Sequence, residues 1–99
     1  MPRTSQQAVP LFKIVTARDE IIIGFSPSQL AALGGSDVGA IGQALSRGAL
    51  MAWQFAVRRR DDGALEQAPL RQVSILGQDS VRVEPYTTPL PIVPIAERA

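Results

Sequence analysis

A row of small residues spaced four apart runs through the middle of the chain: Ala40, Ala44, Gly48, Ala52 and Ala56. On an α-helix this spacing forms one slightly drifting ridge without bulky side chains, which lets another backbone approach closely. The row predicts one long helix over residues 38–60, and it indicates packing rather than chemistry.

Both ends of this predicted helix carry suitable residues. Asp37 stands where a side chain can cap the first turn, and three cations occupy the last turn, where they offset the partial charge of the helix dipole. Residues 61–63, with the sequence Asp-Asp-Gly, supply the expected stop.

A shorter helix is predicted just before the long one. Ser26 can accept a hydrogen bond as the N-cap, Pro27 suits the first helical position, and Gln29 completes a capping box. The glycines at 34 and 35 end this helix early. The glycine-rich segment from 34 to 42 is therefore interpreted as a tight helix–helix turn rather than a phosphate-binding loop.

Four β-strands are expected around the helices. Residues 9–16 and 20–25 are rich in β-branched and aromatic side chains and predict a first hairpin. Residues 70–76 and 80–84 predict a second hairpin around a turn at 77–79, with residues 64–69 as a connector. In this second hairpin, alternation places one apolar set on a common face: Val73, Ile75, Val81 and Val83.

The predicted fold is α+β in the order ββ-α-α-ββ, with one long helix packed on an antiparallel sheet of two hairpins. We expect a disordered or extended arm over residues 1–8 and a single domain over residues 9–86. Residues 87–99 are expected to form a proline-rich tail, docked on the chain itself or on a partner, because its prolines exclude a helix or a central strand.

Composition excludes several chemistries. The chain of 99 residues has no histidine and no cysteine, which removes Ser-His-Asp and Cys-His catalysis, disulfides and the usual zinc ligands. A net charge of +1 provides no overall field to attract nucleic acid. We expect no catalytic, cofactor-binding or metal-binding residues, no small-molecule substrate, and therefore no enzyme.

The sequence also bears on the membrane and on the compartment. Residues 38–57 are long enough to raise the question of a membrane span, but Arg47 lies near their centre, where a charge is costly. The first seven residues lack the apolar core of a signal peptide. We therefore expect no membrane association and a cytoplasmic location.

The predicted long helix has more apolar surface than one sheet can cover. Within one chain, the short helix and the tail could cover the excess. Alternatively, a second copy meets the same helix sector across a two-fold axis. This interpretation is favoured because a chain of 99 residues gains stability from extra burial. The predicted interface comprises Ala44, Gly48, Met51 and Phe55 on the helix, together with Leu90, Ile92 and Val93 on the tail.

The predicted function is accordingly a non-enzymatic protein-interaction or assembly subunit that self-associates through its long helix, as a homodimer or higher oligomer or within a larger complex. The alternative is a nucleic-acid-associated protein that uses the basic cluster Arg58, Arg59 and Arg60, although the aspartates that follow neutralise most of this charge. A ligand binder or enzyme would need a pocket between Trp53, Tyr86 and the sheet.

Overall fold

A computed structural model describes residues 10–35, 37–77 and 81–95. The predicted first hairpin is confirmed: β1 (Leu11–Val15) pairs antiparallel with β2 (Glu20–Gly24). In the turn between them, the Thr16 hydroxyl donates to the Asp19 carboxylate at 3.1 Å, and the Thr16 amide donates to the Asp19 carbonyl at 2.9 Å. These bonds fix the register of the hairpin.

The short helix is also confirmed. α1 (Pro27–Leu33) begins with the expected capping box between Ser26 and Gln29, and it ends at Gly34, whose φ of 78° suits a residue without a side chain. A second helix, α2 (Val38–Ser46), follows and begins at Asp37, which accepts a hydrogen bond from the Ala40 amide at 2.8 Å.

The long helix is a wrong prediction, because α2 spans only nine residues. Gly48 follows with a φ of 128°, outside the helical region, and the strand β3 (Ala49–Arg59) occupies the rest of the predicted helix. The small-residue row is therefore divided between a helix, a turn and a strand. Ala52 is fully buried in the strand, where its small side chain leaves room for the helices above.

Residues 61–63 form a hairpin turn, whereas they were predicted to end a helix. The Arg60 amide donates to the Ala64 carbonyl at 2.7 Å, and Gly63 has a φ of 89°, which this tight turn requires. The chain then continues in β4 (Leu65–Leu76), which pairs with β3 along its whole length. The predicted connector over 64–69 is thus part of a strand.

The predicted second hairpin is also wrong. β4 pairs with β3, whereas β5 (Arg82–Tyr86) pairs antiparallel with β1 on the far side of the sheet. The strand order is β4-β3-β2-β1-β5. The common face of the four predicted apolar residues is nevertheless confirmed, since Val73, Ile75, Val81 and Val83 all belong to one core. Of the predicted turn at 77–79, only Gly77 lies within the described residues.

The fold class must therefore be corrected to a mostly antiparallel five-stranded sheet with two short helices. One face of the sheet, the helix face, packs against α1 and α2 and forms the main core. Its buried members include Phe12, Ile14 and Ile23 from the sheet with Ile41 and Leu45 from α2.

The opposite face, the tail face, carries a second apolar cluster of Leu11, Phe55 and Ile95. Gly24 makes this cluster possible, because a Cβ at this position would lie 2.6 Å from the Phe55 ring and 3.0 Å from Leu11. The missing side chain lets residues from β1 and β3 meet across β2.

The proline-rich tail lies against its own chain over its described part. The Gln67 amide donates to the Pro91 carbonyl at 2.9 Å, and the Val93 amide donates to the Gln67 carbonyl at 2.8 Å. Ile95 is buried over the tail face. The predicted arm over 1–8 and the last four residues of the tail lie outside the described residues.

Candidate interaction surface

Exposed apolar side chains are concentrated in one part of the molecule. Within the described residues, every large hydrophobic side chain that is exposed belongs to the β3–β4 hairpin: Met51, Val57, Leu65, Leu70 and Leu76. Single exposed apolar residues are normal on a protein surface, but their confinement to one supersecondary element indicates a contact surface.

Most of these side chains share the tail face. Alternate residues of a strand lie on one face, and residues paired in register lie on the same face. By the registers Ala49↔Leu76 and Arg59↔Leu65, Leu76 and Leu65 lie on the face that carries Met51 and Val57. Ile92 and Ile95 of the tail pack on the Leu11–Phe55 cluster and leave these side chains exposed.

A β-bulge divides the β3–β4 hairpin. The register passes from Phe55↔Pro69 to Gln54↔Arg71 and leaves Leu70 as an extra residue. In the part of the hairpin from this bulge to the end of β4 and the facing start of β3, the exposed large apolar residues are Met51 at 49%, Leu70 at 55% and Leu76 at 56% exposure. We call these three residues the apolar patch.

The outer edge of β4 adjoins the apolar patch. The tail bonds to this edge at Gln67, and within the described residues no strand pairs with the edge over residues 70–76. The Gly77 amide points toward the start of β3, away from the free edge, and donates to the Gly48 carbonyl at 2.8 Å. Because backbone direction alternates along a strand, Gln72, Ser74 and Leu76 direct their amides and carbonyls outward.

A cleft of about 510 Å³ opens beside the end of β4. Ser74, Ile75 and Leu76 form one wall, and the β1–β2 turn, including Arg18 and Asp19, forms the other. The floor is apolar, with side chains from the main core. The cleft therefore lies between the end of β4 and the β1–β2 turn of the same chain.

The predicted helix-borne interface residues do not form one surface. Ala44 is buried in the main core, and Phe55 is 3% exposed in the second cluster. Gly48 lies in the turn between α2 and β3, and Met51 alone among the four is an exposed large apolar side chain.

Two of the predicted tail residues, Ile92 and Val93, are brought together with β4. Ile92 forms an isolated parallel bridge with Gln67, and Val93 bonds to the same residue through its amide. Leu90, Ile92 and Val93 are all half-buried. These contacts are with the chain itself, and the tail adjoins the β4 edge on the side of the bulge away from the apolar patch.

The basic cluster lies at the tip of the β3–β4 hairpin. Two of its arginines contact acidic side chains, and the third contacts a backbone carbonyl. Arg58 donates to Glu66 through Nε at 2.9 Å and through Nη2 at 2.6 Å. Arg60 lies 3.4 Å from Asp62 and 3.9 Å from Glu66, while Arg59 donates to the Gly63 carbonyl at 3.1 Å. The cluster is therefore locally compensated.

For the nucleic-acid alternative we expect no retention of the chain on a DNA column at low salt. Binding to phosphates would require Arg58 and Arg60 to exchange acidic partners for the nucleic acid. The measurement is retention as a function of salt concentration, with an Arg58→Gln/Arg59→Gln/Arg60→Gln variant as the comparison. Salt-dependent retention that this variant loses would restore the alternative.

The described residues also bear on a ligand pocket, a metal site and a membrane span. Trp53 and Tyr86 both pack against the cluster that contains Ile95. In residues 10–35, 37–77 and 81–95, no three acidic side chains are grouped as metal ligands would be. Neither described helix has the length and apolar character needed to cross a bilayer.

Comparison with known proteins adds no relative. No family model, curated protein or solved structure matches the chain.

Neither the free edge of β4 nor the apolar patch was predicted from the sequence. One signal was present: Asp62-Gly63 stands between two apolar-rich segments, the pattern typical of a tight hairpin. With that hairpin in place, Met51 and Leu76 would have been assigned to one sheet surface.

Proposed function

We propose that this protein is a non-enzymatic interaction or assembly subunit that self-associates through the apolar patch and the adjoining edge of β4. The observation that carries the proposal is the confinement of exposed large apolar side chains to the β3–β4 hairpin. The proposed contact differs from the predicted helix-borne one in every element except Met51.

The energetics favour a modest association that needs more than the patch. Burying the exposed half of a Met or Leu side chain contributes about 1 kcal/mol. Met51 lies on β3, one strand in from the edge, so the two leucines of β4 in each of two copies contribute about 4 kcal/mol, while association costs roughly 4–15 kcal/mol. Side chains alone leave the association weak, and the unpaired backbone groups of β4 are the further source of binding free energy.

The test is the mass of the full chain in solution, measured by light scattering across a range of concentrations. We expect a dimer that a Met51→Lys/Leu76→Lys variant converts to a monomer, because two desolvated lysines on each copy oppose contact. Both positions are exposed, so thermal unfolding of the monomer should change little.

Val57→Lys is the matched control. Val57 lies on the same strand and face as Met51 and is similarly exposed, at 54% against 49%, but it lies beyond the bulge. This variant should remain dimeric. A wild-type chain that stays monomeric at high concentration, or a dimer unaffected by the double variant, would overturn the proposal.

The nucleic-acid alternative and the cytoplasmic location remain predictions from the sequence. A larger complex remains compatible with the proposed surface, since a second edge or patch could bind a different subunit.

A further inference from the structure

We infer that two copies join by antiparallel pairing of β4 with β4, centred on Val73, to make one continuous sheet across a two-fold axis. This inference rests on the proposed function and specifies how its contact is made. It commits to a second copy of this chain as the occupant of the β4 edge.

The edge of β4 is open to such pairing. The outward amides and carbonyls of Gln72, Ser74 and Leu76 have no strand partner among the described residues. Unpaired edges attract other strands, and proteins commonly protect them with proline or charge. The other edge of the sheet, β5, contains Pro85, which lacks an amide hydrogen, whereas residues 70–76 contain no proline.

The register follows from where the exposed leucines lie. With Val73 on the two-fold axis, Leu70 of one copy is paired with Leu76 of the other, and Gln72 is paired with Ser74. The leucines are 55% and 56% exposed in the single chain, and each then gains an apolar cross-strand neighbour.

Neighbouring registers are less favourable. A register centred on Gln72 places Leu70 opposite Ser74, and one centred on Ser74 places Leu76 opposite Gln72, so either shift separates the leucines. A shift by a single residue would pair a residue whose amide and carbonyl point to the free edge with one whose amide and carbonyl point to β3. Such a pair breaks the hydrogen-bond pattern of the ladder. Only the register centred on Val73 satisfies the backbone and also pairs both leucines.

The rest of the chain limits where a second strand can pair. The tail bonds at Gln67 and covers the part of the edge before the bulge, which confines pairing to residues 70–76. The only charged residue in the paired segment is Arg71, which lies opposite Ile75 rather than another arginine.

Cysteine cross-linking tests the register directly, because the natural chain has no cysteine. In a Val73→Cys variant, the two thiols lie opposite each other at a non-hydrogen-bonded pair with Cα atoms about 4.5 Å apart, within disulfide reach. We expect mild oxidation to convert most of this variant to a covalent dimer. Gln72→Cys is the matched control, since its two copies lie diagonally, about 7–8 Å apart.

A second arm avoids the half-buried Val73. Mixing Gln72→Cys with Ser74→Cys should give the cross-linked heterodimer, while each variant alone gives little. Absence of both cross-links in a chain that is dimeric and is dissociated by Met51→Lys/Leu76→Lys would overturn the register but retain the proposed function. A monomeric wild-type chain would overturn both.

Discussion

Replacing Gly77 with alanine should lower the free energy of unfolding by about 3 kcal/mol or more, at the upper end of what overpacking costs. A Cβ built on Gly77 would overlap the carbonyl oxygen of Leu45, in the last turn of α2. Gly77 cannot move away freely, because its amide donates to the Gly48 carbonyl at 2.8 Å. Thermal unfolding followed by circular dichroism should show a midpoint lowered by about 12–20 °C.

Gly42→Ala is the control for this prediction. Gly42 is exposed in α2, and a Cβ there would meet nothing within 4 Å. Alanine in a helix interior is favoured over glycine by about 1 kcal/mol, so this variant should be slightly more stable than the natural chain. Equal midpoints for the Gly77 and Gly42 variants would mean that the end of β4 does not pack against α2 as described.

Some features of the fold could be predicted from the sequence, and others could not. Features set by neighbouring residues were predicted correctly, such as the capping box of Ser26 and Gln29 and the β1–β2 hairpin. Each depends on a few side chains within one turn, whose geometry is nearly independent of the rest of the fold.

The segment from Ala49 to Arg59 could not be settled by periodicity. Its apolar residues occur at both even and odd positions, so they fit a buried helix face and a strand alike. What determines the strand is its partner, β4, which pairs with it over its full length and follows it in sequence. Tertiary pairing overrides the helix preference of the alanines, and no local pattern reports that pairing.

The candidate surface was harder to predict than the elements, because it depends on strand order. Residues 70–76 were correctly expected to be a strand, but their free edge exists only because β5 pairs with β1 instead. Side-chain type predicts both Met51 and Phe55 at an interface, but Met51 is exposed and Phe55 is buried. The residue type indicates that a side chain can form an apolar contact. The strand order determines whether that contact is made within the chain or the side chain stays exposed.

Phe55 gives the second prediction with a large expected effect, since it distinguishes an interface residue from a core residue. Phe55→Ala should lower the free energy of unfolding by about 3–5 kcal/mol, the usual range for a buried phenylalanine. Phe55 is 3% exposed, belongs to one cluster with Leu11 and Ile95, and packs over the backbone of Gly24. Chemical denaturation of the full chain measures this loss. The midpoint should shift, while the dependence of the unfolding free energy on denaturant concentration should stay the same.

Met51→Ala is the comparison, because Met51 lies four residues away on the same strand and the same face. It is 49% exposed, and its truncation should change the unfolding free energy of the monomer by less than about 1 kcal/mol. Phe55→Ala should instead cost stability, while any dimer of the folded fraction keeps its affinity. A Phe55→Ala chain that is fully stable but monomeric would place the ring in an interface and contradict the packing of the second cluster.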